Sequence, residues 1–249
     1  MINKSYPVKI SIKNIFTLSI PIFFSNLALP LVGVVDTGLM GNLGEAKYLA
    51  ATSIATSVLT MVFWSFGFLR MGTVGLVAQS LGRKDNNEII QILIRNLFLA
   101  FLIGLIIIFF KDPILFLIKT YFTTTEETFF LIKNYISIRI LAAPAELSIY
   151  VLAGFYLGLQ KTKTSSLMVS IFCFGNAILS AVLVVNYDLE IFGTAVGTVI
   201  AAYTTVVIFL TLAYFQLRNK LRSILTYKKI FNVLKMFKLF NINLDIFVR

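Results

Sequence analysis

Histidine is absent from all 249 residues. That excludes His-based catalytic triads, His-ligated metals and His proton relays. Cysteine occurs once, as Cys173 inside an apolar run, so neither an intramolecular disulfide nor a Cys-based zinc site can form. Plain helix packing accounts for that residue. Charge is scarce as well: 13% of residues are Asp, Glu, Lys or Arg, about half the fraction usual in a soluble domain. With no His and few acids inside the apolar runs, there is no credible acid–base pair, and a membrane enzyme is the least supported reading. The short alternating segments of a β-barrel are missing too. No metal or cofactor is expected.

What the chain does have is apolar length. It is 58% hydrophobic, with a mean hydropathy of +0.90, which defines a polytopic α-helical membrane protein in contact with lipid. Six segments reach the roughly 20 residues needed to cross a bilayer: Ile15–Met40, Leu49–Leu81, Ile89–Phe110, Thr128–Gly158, Ser166–Val185 and Ile191–Gln216. The first has no short apolar core followed by a cleavage site, and reads as a span rather than a signal peptide. The net charge of +11 does not indicate nucleic acid, because the basic residues stand between spans and read as topology determinants. Lys4, Lys9, Lys13, Arg83, Lys84, Lys161, Lys163, Arg218, Lys220 and Arg222 fall on one side. Lys47, Lys111 and Lys119 fall on the other. This asymmetry predicts a multi-pass protein of the cytoplasmic membrane with a cytoplasmic amino terminus, and puts Asp36 in the outward half of the first helix.

The connections carry helix-end signals. Asp85 or Asn86 can cap the third span. Thr123 with Glu126 and Thr124 with Glu127 form overlapping capping boxes. Beyond the six-helix unit, residues 1–217, composition changes. Residues 218–249 read as a basic amphipathic segment lying on the inner membrane surface, and Asn243–Arg249 as the opening of a further span.

Asp36 is the residue that most needs explaining. A charge inside a bilayer costs about 2.5–3.5 kcal/mol even on insertion scales, so an intramembrane carboxylate is a functional candidate. Pro30 removes a backbone donor six residues earlier and permits a kink. At about 100° per residue, Ser25, Leu29, Val32, Gly33 and Asp36 share one face, which suits a cavity or a close helix neighbour. The alternative is an Asp near a helix end, solvated by headgroup water.

Other polar groups recur at helical spacing. Ser53, Thr56, Ser57, Thr60 and Trp64 form a stripe that either lines a cavity, meets a neighbouring helix, or back-bonds to its own turn. Arg70 lies about 17 Å from the inner end of its span and Glu146 about 21 Å from its own, which predicts a structural Arg70–Glu146 ion pair. Tyr135 and Arg139 are an i, i+4 pair near the depth of Asp36, placed either to position that carboxylate or to anchor the interface. Asn176 with Ser180, and Thr194 with Thr198, are neutral polar pairs able to complete a proton or cation site. Gly154 with Gly158 and Gly193 with Gly197 read as packing sites.

Several of these stretches together resemble a known family. Ile20-Pro21 through Val35-Asp36-Thr37 with Gly41, the run Phe66-Gly-Phe-Leu-Arg-Met-Gly-Thr73, Ile138-Arg139 with Ala143-Pro144-Ala145, and Gly158-Leu-Gln160 are similar to the DinF-like branch of the multidrug and toxic compound extrusion (MATE) transporters. The resemblance implies a twelve-helix fold in two six-helix lobes, of which this chain matches the amino-terminal one. It implies exchange of external H⁺ or Na⁺ for cytosolic organic, often cationic, compounds. It also implies a cation site centred on Asp36, with Asn176, Tyr135 and Thr198 at family positions. Ser180 departs from the family, which usually has an Asp there, and so removes one negative charge.

The function that follows is one lobe of a cation-coupled antiporter, acting with a second lobe or another copy. The rival from a different class is a truncated, non-transporting remnant or structural subunit needing a separate carboxyl-terminal lobe. A lipid-linked saccharide flippase is a further alternative, disfavoured because the clearest cavity charge is acidic.

Overall fold

The structure, a computed structural model, describes residues 12–224, which are helical apart from short turns. In chain order the helices are α1 (Ile12–Gly41), α2 (Ala46–Trp64), α3 (Phe68–Gly82), α4 (Asn86–Phe109), α5 (Lys111–Tyr121), α6 (Glu126–Arg139), α7 (Ala143–Gly158), α8 (Thr162–Val185) and α9 (Glu190–Ile224). Among the described residues, five units are long and apolar enough to span a membrane: α2 with α3, α4, α6 with α7, α8, and α9. The sixth expected span is α1, 30 residues of helix whose described apolar stretch is Val32–Gly41. It passes Pro30 as one continuous helix, and around that residue only the backbone is described. Most of the expected 218–249 segment, including Asn243–Arg249, lies outside the described residues. Its first residues, up to Ile224, continue α9 well past the expected end at Gln216.

The α6–α7 unit is the pillar of the bundle. Of its apolar window 83% is buried, against 28–44% for the other spans. It is broken once, by a 3-10 turn at Ile140–Ala142. Pro144 explains the break: it has no N–H to give the carbonyl of Ile140, and its ring crowds that carbonyl. The amide of Ala143 serves Ile140 by a tighter i→i+3 bond instead. The α2–α3 unit is interrupted in the same way at Ser65–Gly67, where the Ser65 hydroxyl bonds back to the Met61 carbonyl at 2.9 Å. Neither break was expected from periodicity.

Two cap expectations have different outcomes. Asp85 caps α4, accepting from the amide of Glu88 at 3.0 Å. The cap of α6 is Thr125, which accepts from Thr128 N at 3.2 Å, so Thr123 and Thr124 fall outside the helix and their capping boxes do not form. The helix α5 was not foreseen. It begins with Asp112-Pro113, ends near Lys119, buries Leu115 and Ile118, and exposes Phe116 and Tyr121.

Missing side chains let the helices touch. A Cβ on Gly154 would stand 2.5 Å from the backbone oxygen of Arg70, and one on Gly158 2.7 Å from Val77 Cβ, so α7 lies directly on α3. Gly104 of α4 is equally close to Pro144. At Gly154 the obstacle is backbone and cannot swing aside. Gly154→Leu should therefore lower stability by roughly 1–3 kcal/mol as overpacking, read as a lower thermal midpoint in detergent. Gly75 faces open space on α3, so Gly75→Ala should leave that midpoint unchanged or raise it.

Candidate functional site

Asp36 lies a turn and a half before the end of α1, yet it is only 1% exposed. It is not solvated by headgroup water. Three hydroxyls from three other helices surround it: Tyr135 of α6 donates to Oδ2 at 3.2 Å, Ser180 of α8 donates to Oδ1 at 3.3 Å, and Thr198 of α9 lies 3.4 Å from Oδ2, its single proton shared with the Thr194 carbonyl. Behind them Asn176 of α8 donates through Nδ2 to Thr198 Oγ1 at 2.6 Å and to Ser180 Oγ at 3.3 Å. Its carbonyl, Oδ1, is buried and has no hydrogen-bond partner among the described residues. Asp36, Asn176, Ser180, Tyr135 and Thr198, spread over four helices, thus stand in one cluster.

The packing that makes this possible is visible at Gly197. A Cβ there would fall 2.8 Å from the backbone nitrogen and hydroxyl of Ser180. Only a residue without a side chain lets α9 come that close to α8, and the next residue, Thr198, then reaches both Asn176 and Asp36. The carbonyl of Thr194 accepts from Thr198 at 2.9 Å and fixes its rotamer.

The cluster adjoins a cavity of about 780 Å³ between α1, α2, α6, α7 and α8. Ser53, Thr56, Ser57, Thr60 and Trp64 line it, so the α2 stripe faces the cavity. Thr56 Oγ1 is 3.5 Å from the Tyr135 hydroxyl and ties that stripe to the site. The oxygens of Asp36, Asn176, Ser180 and Thr198 are hard donors with one formal charge among them, the set a proton or a monovalent cation would meet. Among the described residues no cluster of His, Cys, Asp and Glu could hold a divalent metal ion.

One pairing was misassigned. The partner of Glu146 is Arg139, at 2.5 Å, not Arg70. Depth arithmetic matched Arg70 to Glu146 but ignored helix face. Arg139 ends α6 and Glu146 lies in the first turn of α7, seven residues on, so both point the same way across the 3-10 turn. Arg70 lies in Coulomb range of the Tyr150 hydroxyl instead. The Arg139 guanidinium stacks over Phe63 at 5.4 Å, and both it and Glu146 line the cavity with Asp36. Phe63, Tyr150 and Phe172 were not anticipated as cavity residues. Their only sequence signal is apolar periodicity, which looks the same for lipid-facing and cavity-facing aromatics.

The site is a buried carboxylate beside a cavity in a bundle of membrane-spanning helices. Comparisons with known proteins give the family: residues 21–183 match the MatE family, and the chain belongs to it. It is 33% identical over 196 residues to DNA damage-inducible protein F of Escherichia coli K12, covering 79% of this chain and 43% of that protein. It is 22% identical over 212 residues to multidrug export protein MepA of Staphylococcus aureus, covering 85% of this chain and 47% of that one. Among solved structures, a MATE transporter in the bent conformation superposes with a TM-score of 0.79 at 19% identity, covering 93% of this chain and 51% of that chain. A Vibrio cholerae MATE transporter in the bent form gives 0.73 at 21% identity, covering 91% and 50%. The chain therefore spans about half the length of the relatives it matches.

Thr198 is the joint between Asn176 and Asp36, which gives a direct test of the cluster. Thr198→Val removes the 2.6 Å acceptor of Asn176 and one donor to the carboxylate. It should lower stability by roughly 1–3 kcal/mol, the range for a buried group left unpaired. Thr198→Ser keeps the hydroxyl and should restore most of the thermal midpoint in detergent.

Proposed function

We propose that this chain is the cation-responsive lobe of an exporter that exchanges inward-moving H⁺ or Na⁺ for organic, cationic compounds across the cytoplasmic membrane. The observation that carries the reading is Asp36, a carboxylate withdrawn from water, held by three hydroxyls and set beside a cavity large enough for a small organic molecule. The charge asymmetry of the loops supports a cytoplasmic amino terminus, which places the site in the outward half of the lobe.

The chemistry is a competition for one negative charge. Ionised Asp36 gathers Tyr135, Ser180 and Thr198 around it and thereby ties α1 to α6, α8 and α9. A proton or Na⁺ neutralises the carboxylate and weakens those charge-assisted bonds. The inner part of α1 is then free to bend at Pro30 and shrink the cavity. Asn176 Oδ1, with no partner among the described residues, is a ready ligand for a bound cation. A lipid-linked saccharide is disfavoured, because an acidic wall repels its phosphates.

A second reading rests on length. The relatives have another half that this chain does not match, so turnover calls for a carboxyl-terminal lobe or another copy to move against. Cells stripped of their own exporters provide the test. The wild-type chain, with a carboxyl-terminal half of a full-length relative, should raise tolerance to a lipophilic cation, and Asp36→Asn should abolish it. Undiminished tolerance with Asp36→Asn would falsify the reading. Tolerance that appears only with the second half supports the need for a partner lobe; equal tolerance from the chain alone removes it.

A further inference from the structure

Asp36 and Glu146 are two carboxylates in one cavity wall, and among the described residues Arg139 is the single cation that lines the cavity with them. Their formal charges sum to −1. The groups that connect them follow one another along the α6–α7 unit. Tyr135 of α6 touches Asp36, Arg139 lies one turn on, and Glu146 lies across the 3-10 turn. Arg139 is salt-bridged to Glu146 and is also in Coulomb range of Asp36. Neighbours at i, i+4 stand about 5–6 Å apart at Cβ, within the swing of an arginine side chain. The flat guanidinium rests on Phe63, a surface over which it can slide without losing its contact.

We propose that Arg139 is a tethered cation shared between the two carboxylates, so that the cavity wall accepts one external monovalent cation at a time. This rests on the reading of Asp36 as the coupling residue. With a proton or Na⁺ on Asp36, Arg139 stays paired with Glu146. With Asp36 ionised and empty, Arg139 turns to it and frees Glu146. An organic monocation then binds Glu146, walled by Tyr150, Phe172, Phe63 and Trp64. Each cation excludes the other through the guanidinium, without the two having to overlap. The exchange is one for one and electroneutral.

The surrounding groups leave this charge count intact. Facing Asp36 are Tyr135 and Arg139 from α6; α8 and α9 contribute only Ser180 and Thr198, which do not titrate here. Glu146 acts on Arg139, Tyr150 and, from α8, Cys173. Arg70 of α3 reaches Tyr150 and is not among the cavity-lining side chains.

The test is binding of tetraphenylphosphonium to the purified full chain in nanodiscs, as a function of pH. For the wild type, competition with a proton should weaken binding up to tenfold per unit of acidification once Asp36 protonates. Asp36→Asn imitates the neutral carboxylate, locks Arg139 on Glu146, and should bind at least about tenfold more weakly, with no pH dependence. Glu146→Gln should lose binding by a similar factor. The decisive variant is Asp36→Asn with Arg139→Gln. It has no tethered cation and keeps Glu146, so it should regain the affinity that Asp36→Asn alone loses, still without pH dependence. Folding of each variant is checked by helical circular dichroism and a single elution peak. A folded double variant no tighter than Asp36→Asn overturns the proposal, as does wild-type affinity in folded Glu146→Gln. Either result alongside pH-dependent wild-type binding leaves the antiport reading standing. Wild-type binding that ignores both pH and Na⁺, or is absent, overturns both.

Discussion

A carboxylate at bilayer depth must be solvated by protein, and the bundle is arranged so that Asp36 is. An uncompensated buried ion costs several kcal/mol. Hydrogen bonds to a charged group return about 1.5–3 kcal/mol each, and the lengths of 3.2–3.4 Å at Asp36 put its three bonds toward the weak end of that range. Two such bonds and the share of a third from Thr198 are of the same order as the penalty, so losing one matters. Each donor comes from a different helix. The charge on α1 is therefore a constraint on how α6, α8 and α9 sit, and a change in that charge is felt by all of them.

The donors are delivered by unrelated devices. Tyr135 is carried on the most buried span, where close neighbours fix it. Thr198 depends on Gly197, whose bare backbone lets α9 lie against Ser180. Glu146, the second carboxylate of the cavity, follows Pro144, which ends the α6 ladder at the 3-10 turn while the pillar continues across the cavity wall. A straight helix would also place residues 139 and 146 on one face, but about 10 Å apart along the axis. Their long side chains close that distance, and the resulting ion pair spans the one weak point in the central span.

Much of this could be read from the sequence because bilayer physics leaves few options. Backbone groups in lipid must bond within their own helix, so apolar length alone located the spans. Residues at i, i+4 had to share a face, and so Tyr135 with Arg139 and Asn176 with Ser180 were found as pairs. What could not be read was anything set between helices. The breaks at Ser65–Gly67 and Ile140–Ala142 disturb no hydrophobic pattern, because both flanking segments stay apolar. Helix α5 is short and lies between two obvious spans, where Thr-rich capping signals drew attention to the wrong residues. The Arg70–Glu146 assignment failed because depth is a single coordinate; rotation about the helix axis is a second, and only the packed bundle supplies it.

The Ser at position 180 takes on meaning in this setting. By resemblance a second acid belongs there, beside Asp36, where two like charges could not both ionise without a cation between them. Here Ser180 donates to Asp36, so the site is satisfied with a single charge. The other carboxylate of the cavity is Glu146, on another helix and with its own guanidinium. The cavity wall thus carries two acids on different helices, and the guanidinium of Arg139 is paired with one of them. On the proposed reading, the occupancy of one carboxylate is communicated to the other by which of them Arg139 neutralises, a matter of charge balance rather than of shape.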